Sequence, residues 1–152
     1  MKIYPVNPPE AKIPGISQGV IIDGGNPLLL SGHVPMRNDG SVVTSHSEAQ
    51  LEQVFKNIQE TLAAVGRDFQ NAPRLRIYVR DFHPDHLRIV RAVRDRYVDP
   101  ACPPASALIG VASLFHPDVL VEIDAIAAVP ARLEQRSGTI DGSGTNGALD
   151  EH

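Results

Sequence analysis

The sequence has a single cysteine, Cys102, no tryptophan, and only 5% aromatic residues. A lone thiol excludes an internal disulfide and points to a reducing compartment, the cytosol. No apolar run approaches the ~18–20 residues that cross a bilayer. The opening residues, Met1 to Pro5, lack the long apolar stretch of a signal peptide. A basic excess is missing too. The net charge is −4 and the pI about 5.8, a balance that disfavours a phosphate backbone as partner. There is no P-loop, no dinucleotide glycine fingerprint and no nucleophile elbow. The six histidines form no metal-like pattern; His83 and His86, three apart, are a weak signal alone. No metal, nucleic acid or membrane is therefore expected.

What is present suits one domain. The chain has 152 residues, 42% of them hydrophobic, enough for one sizeable core and too few for two. The first sixteen residues, with Pro5, Pro8, Pro9 and Pro14, read as an irregular arm. Gly19 to Asp23 is a short strand. Pro27 to Ser31 is a second, apolar on both faces and so expected at the centre of a sheet. Ser41 to Thr44 is a candidate short strand. A helix follows: Ser47 and Gln50 have capping-box spacing, Leu51, Val54, Phe55, Ile58, Leu62 and Val65 form one face, and Gly66 closes it.

Arg74 to Arg80 alternates, with Leu75, Ile77 and Val79 on one side and Arg74, Arg76, Tyr78 and Arg80 on the other. Pro84 suits the first turn of a second helix over about 84–98. Ala105 to Leu114 and Val119 to Ala128 are the last strands, expected to pair as an antiparallel hairpin. The expected fold is α+β, in the order β-β-(β)-α-β-α-β-β, with two helices on one sheet face over residues 1–130. Residues 131–152, rich in Gly, Ser and Thr, read as a disordered tail. One sheet face is left bare, which predicts self-association.

Few residues carry chemistry. Glu122 and Asp124, two apart in a strand, share a face. Leu120 and Ile126 flank them, so partial burial should raise a carboxyl pKa there. Glu122 is read as the proton shuttle, and Asp124 as one end of a salt bridge between subunits. On a helical wheel Arg94 falls inside the apolar arc of the second helix and Arg91 at its edge, where an arginine snorkels or meets an anion. His33 and His116 read as structural or solvated. Cys102 has no base near it in sequence that would make it a nucleophile.

Several segments together are similar to the Rid/YjgF family over residues 15–129. They are Ser17-Gln18, Leu30-Ser31-Gly32-His33-Val34-Pro35, Glu48-Ala49-Gln50, the helix end at Leu62 to Gly66, Pro104-Ala105-Ser106, Gly110-Val111-Ala112 and the strand from Val121 to Ala127. The resemblance implies a chorismate-mutase-like fold and a homotrimer with three clefts between subunits. It also implies hydrolysis of reactive enamines and imines such as 2-aminoacrylate, with no metal or organic cofactor. Ser31 and Gly32 match the family's pocket wall, and Glu122 matches its strand glutamate. Four positions depart from the deaminase branch: Ser106 stands where its carboxylate-gripping arginine does, Ile16 at its tyrosine, Leu108 at a small or thiol residue, and Arg91 at an asparagine.

The resulting expectation is a trimeric hydrolase of a C=N or enamine intermediate other than ordinary 2-aminoacrylate. Glu122 is its base, Arg91 clamps an anionic metabolite, and Ser31, Gly32, Ser106, Leu108 and Ile16 line the cleft. The alternative is a non-catalytic ligand-binding or protein-interacting trimer. Ribonuclease activity is disfavoured by the acidic pI.

Overall fold

The computed structural model describes residues 1–10 and 13–131; the tail expected over 131–152 thus lies, apart from Ala131, outside the described residues. The chain runs β1 (Lys2–Val6), β2 (Gly19–Asp23), β3 (Asn26–His33), α1 (Ser47–Ala64), β4 (Arg74–Arg80), α2 (Pro84–Arg94), β5 (Ala105–Val111) and β6 (Val121–Val129), with one 3-10 turn at Phe69–Asn71. β1 and β2 form an antiparallel ribbon, and the main sheet has the order β3-β6-β4-β5.

The α+β class and the two-helix composition stand as expected, but three readings are corrected. The arm is partly a strand: β1 pairs with β2 from Lys2 opposite Asp23 to Val6 opposite Gly19. Proline is tolerated there because an outer strand leaves half its amides without partners anyway. β3 is an edge strand within the chain, and its Leu29 is 73% exposed. Two apolar faces report that something covers both, not which position the strand occupies. The last two strands do not form a hairpin. β5 pairs parallel to β4, and β6 inserts antiparallel between β3 and β4. The α2 crossover carries the chain from β4 back to a parallel neighbour, and the loop 112–120 then passes over to the far side of β4.

The core follows from period-two burial meeting a helical stripe. Leu75, Ile77 and Val79 of β4 and Val121, Ile123, Ala125 and Ala127 of β6 are buried beneath Leu51, Val54, Phe55, Ile58 and Leu62 of α1. Phe55 stacks on Tyr97 at 4.8 Å between ring centroids and meets Phe69 at 5.5 Å. The Tyr97 hydroxyl donates to Glu52 at 2.7 Å, and burial, aided by that bond, pushes its pKa to about 12.

Helix ends differ from expectation in detail. His46, not Ser47, caps α1, accepting from the Ala49 amide. Gly66 ends it with φ +69°, its amide on Ala63 and that of Arg67 on Leu62, a Schellman closure that uses glycine's left-handed freedom. At α2, His83 and His86 form a reciprocal capping box, with Pro84 in the first turn, so their three-residue spacing serves backbone amides. α2 ends at Arg94, before the expected 98, and of the candidate strand Ser41 to Thr44 only a single bridge between Met36 and Val42 forms.

Gln50 is no cap partner. It is fully buried; its amide donates to the carbonyls of Val43 and Asp118, both at 2.7 Å, and its carbonyl accepts from the Leu120 amide at 2.8 Å. One side chain thereby ties the approach to α1 to the loop that leads into β6.

Candidate functional site

Strand alternation places the candidate residues on two opposite faces of the sheet. Glu122 lies opposite Tyr78 across the β6–β4 pairing, and Arg76 lies opposite Asp124, on the face away from the helices. Ser106 lies opposite Leu75, and Leu108 opposite Ile77, on the helix-covered face.

On the bare face, Glu122 is half-buried. Burial raises its carboxyl above the ordinary value, and the negative Asp124 beside it adds to the rise. Among the described residues it has no salt bridge and no side-chain hydrogen bond. The pairing of β3 with β6 shifts register between Leu30 and His33, and Gly32 of this irregular stretch lies over it. A methyl group at Gly32 would run into the Glu122 carboxylate. The absent side chain is what lets the backbone approach the acid. His33 steadies the bulge, with Nδ1 at 2.8 Å from the Ser31 carbonyl and Nε2 at 2.8 Å from Thr61 Oγ1. Gly32→Ala should therefore push the carboxylate aside and leave the fold intact. Any Glu122-dependent turnover should fall more than ~10-fold, with the melting curve by circular dichroism nearly unmoved.

Asp124 finds partners within its own chain. Arg76 Nε donates to Oδ1 at 2.7 Å and the Tyr78 hydroxyl to Oδ2 at 3.0 Å; donation to Asp124 raises the Tyr78 pKa. No motif marks this Arg76–Asp124–Tyr78 cluster; the alternation of Arg74 to Arg80 puts Arg76 and Tyr78 on one side, and the pairing of β4 with β6 makes that the carboxylates' side.

On the covered face a hollow of about 110 Å³ opens between α2 and β5. Ile13, Pro14 and Ile16 close one wall, Leu87, Val90, Arg91 and Arg94 of α2 another, and Ile77 with Ser106, Ala107 and Leu108 forms the floor. Ile16 is held there because its neighbour Ser17, buried, bonds the Pro103 carbonyl through Oγ and the Pro104 carbonyl through its amide. The hollow thus unites Ile16, Arg91, Ser106 and Leu108 of the expected site residues; Ser31, Gly32 and Glu122 gather on the other face.

The two arginines differ. Arg94 is 5% exposed and engaged: Nε and Nη2 both donate to Asp95, at 3.0 and 2.7 Å, and its guanidinium lies against Gly15, whose φ is +77°. Arg91 is exposed at the rim and has no acidic or hydrogen-bonding partner among the described residues. Cys102 is outside both groups, and burial raises its thiol pKa, which keeps the thiolate scarce. No helix is long and apolar enough to cross a membrane among the described residues.

This architecture, a four-stranded mixed sheet with two helices on one face and carboxylates on the other, defines a known class of small α+β proteins. The profile of the family described as Endoribonuclease L-PSP matches residues 11–129. Protein DfrA of Myxococcus xanthus is 39% identical over 112 residues, spanning 73% of this chain and 82% of that one. A RutC family protein of Synechocystis is 29% identical over 126 residues, 83% of this chain and 89% of that one. Among solved structures, the Rid-family protein YyfB of Yersinia pestis superposes with a TM-score of 0.80 at 31% identity, covering 85% of this chain and all of that one. RidA of an Antarctic Psychrobacter shares the fold, with a TM-score of 0.62 at 24% identity over 74% of this chain and 87% of that one. The chain belongs to the L-PSP endoribonuclease family, the Rid/YjgF proteins.

Proposed function

We propose that the chain is a homotrimeric hydrolase that deaminates a reactive 2-imino or 2-enamino acid without a cofactor, at three sites on the seams between subunits. The observation that carries this reading is the separation of the two residue groups. A half-buried carboxyl with no cation of its own sits on one sheet face, and an arginine with no acid of its own rims a hollow on the other. A sheet cannot fold back on itself to join them, but a neighbouring copy can present one face to the other. The exposed Leu29 and the half-covered Ile126 opposite it supply apolar area for such a seam.

In this reading Arg91 holds the substrate carboxylate from the helix side, and Ser106 offers only a neutral hydroxyl where the deaminase branch has its arginine. An enamine first takes a proton on carbon and loses one from nitrogen to become the imine. Glu122 then removes a proton from water as its oxygen bonds to the imine carbon. The same carboxyl returns that proton to nitrogen, giving a 2-amino-2-hydroxy acid; it then takes the hydroxyl proton and passes it to the amino nitrogen as the C–N bond breaks, so the keto C=O forms and ammonia leaves a 2-keto acid. The raised Glu122 pKa suits a group that must both accept and return a proton near neutral pH. The backbone at Gly32 can lie against the reacting carbon because no side chain intervenes.

The test is ammonia release from imines generated in situ by an amino-acid oxidase, with sedimentation to count subunits. Release above the spontaneous rate that depends on Glu122 supports the reading; a wild-type rate no higher than that of Glu122→Ala ends it. Binding of 2-keto acids without any acceleration would instead select a ligand-binding trimer, which the lack of an arginine at Ser106 favours.

A further inference from the structure

Gln53, Asn57 and Thr61 stand at four-residue intervals on α1, neighbours along one flank of the helix, and together they hold the stretch that follows β3. Gln53 donates to Asn57 Oδ1 at 2.8 Å, and the Asn57 amide donates to the carbonyls of Val34 and Met36 at 2.9 and 2.8 Å. Thr61 Oγ1 meets Nε2 of His33 at 2.8 Å, and Nδ1 of the same ring meets the Ser31 carbonyl at 2.8 Å. A carbonyl only accepts, so Nδ1 carries the proton of that bond. The Thr61 hydroxyl can donate to Nε2 of a neutral ring. Opposite a charged ring it accepts instead, and gives its own proton to the Asn57 carbonyl, 3.1 Å away. His33 therefore bridges the helix and the end of β3 in both forms. Leu30 stands opposite Ala125 and His33 opposite Ile123, so β3 holds one residue more than β6 there and bulges. A Cβ at Gly32 would stand 2.8 Å from Glu122 Cδ and 3.2 Å from its Cγ, so the glycine backbone covers that side chain along its length. This cover is part of the burial that raises the Glu122 carboxyl.

We propose that His33 and Thr61 are positioning residues for Glu122: through them α1 pins the Ser31–Gly32 backbone over the carboxyl, and so sets its direction and its access to water. This role rests on Glu122 being the base of the reaction proposed above, and it adds what holds that base in place. Neither side chain touches the reacting atoms. Each acts through the Gly32 backbone, so each matters only while the other end of the bridge is present.

Thr61 is exposed, so Thr61→Val removes the hydroxyl and leaves the fold standing, while Thr61→Ser keeps the hydroxyl. Carbon-detected NMR titration of the Glu122 carboxyl in the full chain reads the effect without requiring turnover. The midpoint should fall toward the ordinary glutamate value in Thr61→Val, because water then reaches the carboxyl, and stay at the wild-type value in Thr61→Ser. Added to His33→Ala, Thr61→Val should move the midpoint no further than His33→Ala alone, since the bridge is already broken. In imine hydrolysis Thr61→Val should lower kcat ~10-fold or more with KM within ~2-fold, and Thr61→Ser should restore it. A hydroxyl that only supported the helix would shift the melting temperature and leave the midpoint alone. A midpoint unmoved in Thr61→Val, equal shifts in Thr61→Val and Thr61→Ser, or additive effects of Thr61→Val and His33→Ala would overturn the role. Ammonia release separates its fate from that of the catalytic reading. The predicted midpoint shifts with no accelerated deamination by the wild type sink the catalysis alone. Glu122-dependent deamination that is equal in wild type and Thr61→Val sinks the positioning role alone.

Discussion

Glu122→Gln should lower the rate of imine hydrolysis by roughly 10²–10⁴-fold, the span that a positioned acid–base group contributes, with KM changed little. The amide keeps the shape of the side chain and removes its ability to take a proton from water. Stability should not fall with it. The Glu122 pKa is raised in the folded chain, by burial first and Asp124 second, so between the ordinary carboxylate value and the raised one the folded state binds more protons than the unfolded. Stability contributed by this group is then lost as pH rises through that window, and the neutral amide avoids the loss. At neutral pH the variant should melt no lower than the wild type. The acidic limb of kcat/KM should lie above the ordinary glutamate range in the wild type. It should move down in Asp124→Asn, because the neighbouring charge that opposes ionisation is gone. A limb in the ordinary range, or one unmoved by Asp124→Asn, would contradict this assignment of the base.

Gln50→Ala should cost about 3–4 kcal/mol in chemical denaturation, more than any surface change in the chain. Its side chain is fully buried and makes three bonds to backbone, to Val43, Asp118 and Leu120. Truncation leaves two carbonyls and an amide without partners and opens a void at a fully buried position. Because one of the three anchors is the lead into β6, the variant should also loosen the strand that carries Glu122, and turnover should fall before the fold melts. A loss below ~1 kcal/mol would mean that water replaces the amide's bonds without cost.

Much of the fold was legible because local pattern and tertiary structure agree. The stripe on α1, the alternation of β4 and β6, Pro84 in the first turn of α2 and Gly66 at the end of α1 each have one physical reading, and each took it. What failed depends on partners that sequence does not record. The 112–120 loop is compatible with a hairpin or with a passage beyond β4, and pairing between β4 and β5 after the α2 crossover decided it. Pro5 looked like a strand breaker, yet an outer strand tolerates it. Gln50 fitted a capping box, but a buried glutamine that finds three backbone partners leaves no periodic trace. His83 and His86 had a spacing that helix capping and metal ligation share.

The candidate site was readable in its membership more than in its geometry. Ile16, Arg91, Ser106 and Leu108 do share one hollow, and Gly32 does lie on Glu122. Periodicity assigns faces strand by strand, so it could have separated Ser106 from Glu122 only once the order β3-β6-β4-β5 was known. Asp124, expected to reach another subunit, meets Arg76 within its own chain, one strand away on the same face.

Mixed oligomers test the shared seam most directly. Glu122→Gln and Arg91→Glu should each be inactive alone, one lacking the base and the other repelling the substrate carboxylate. Co-expressed with two different tags and purified as mixed trimers, they should regain roughly a third of wild-type activity, since every mixed ring of three copies has one intact seam that draws Arg91 from one copy and Glu122 from the next. Mixed trimers as inactive as the two parents would mean that both residues must come from one chain, and the seam between copies would not be the site.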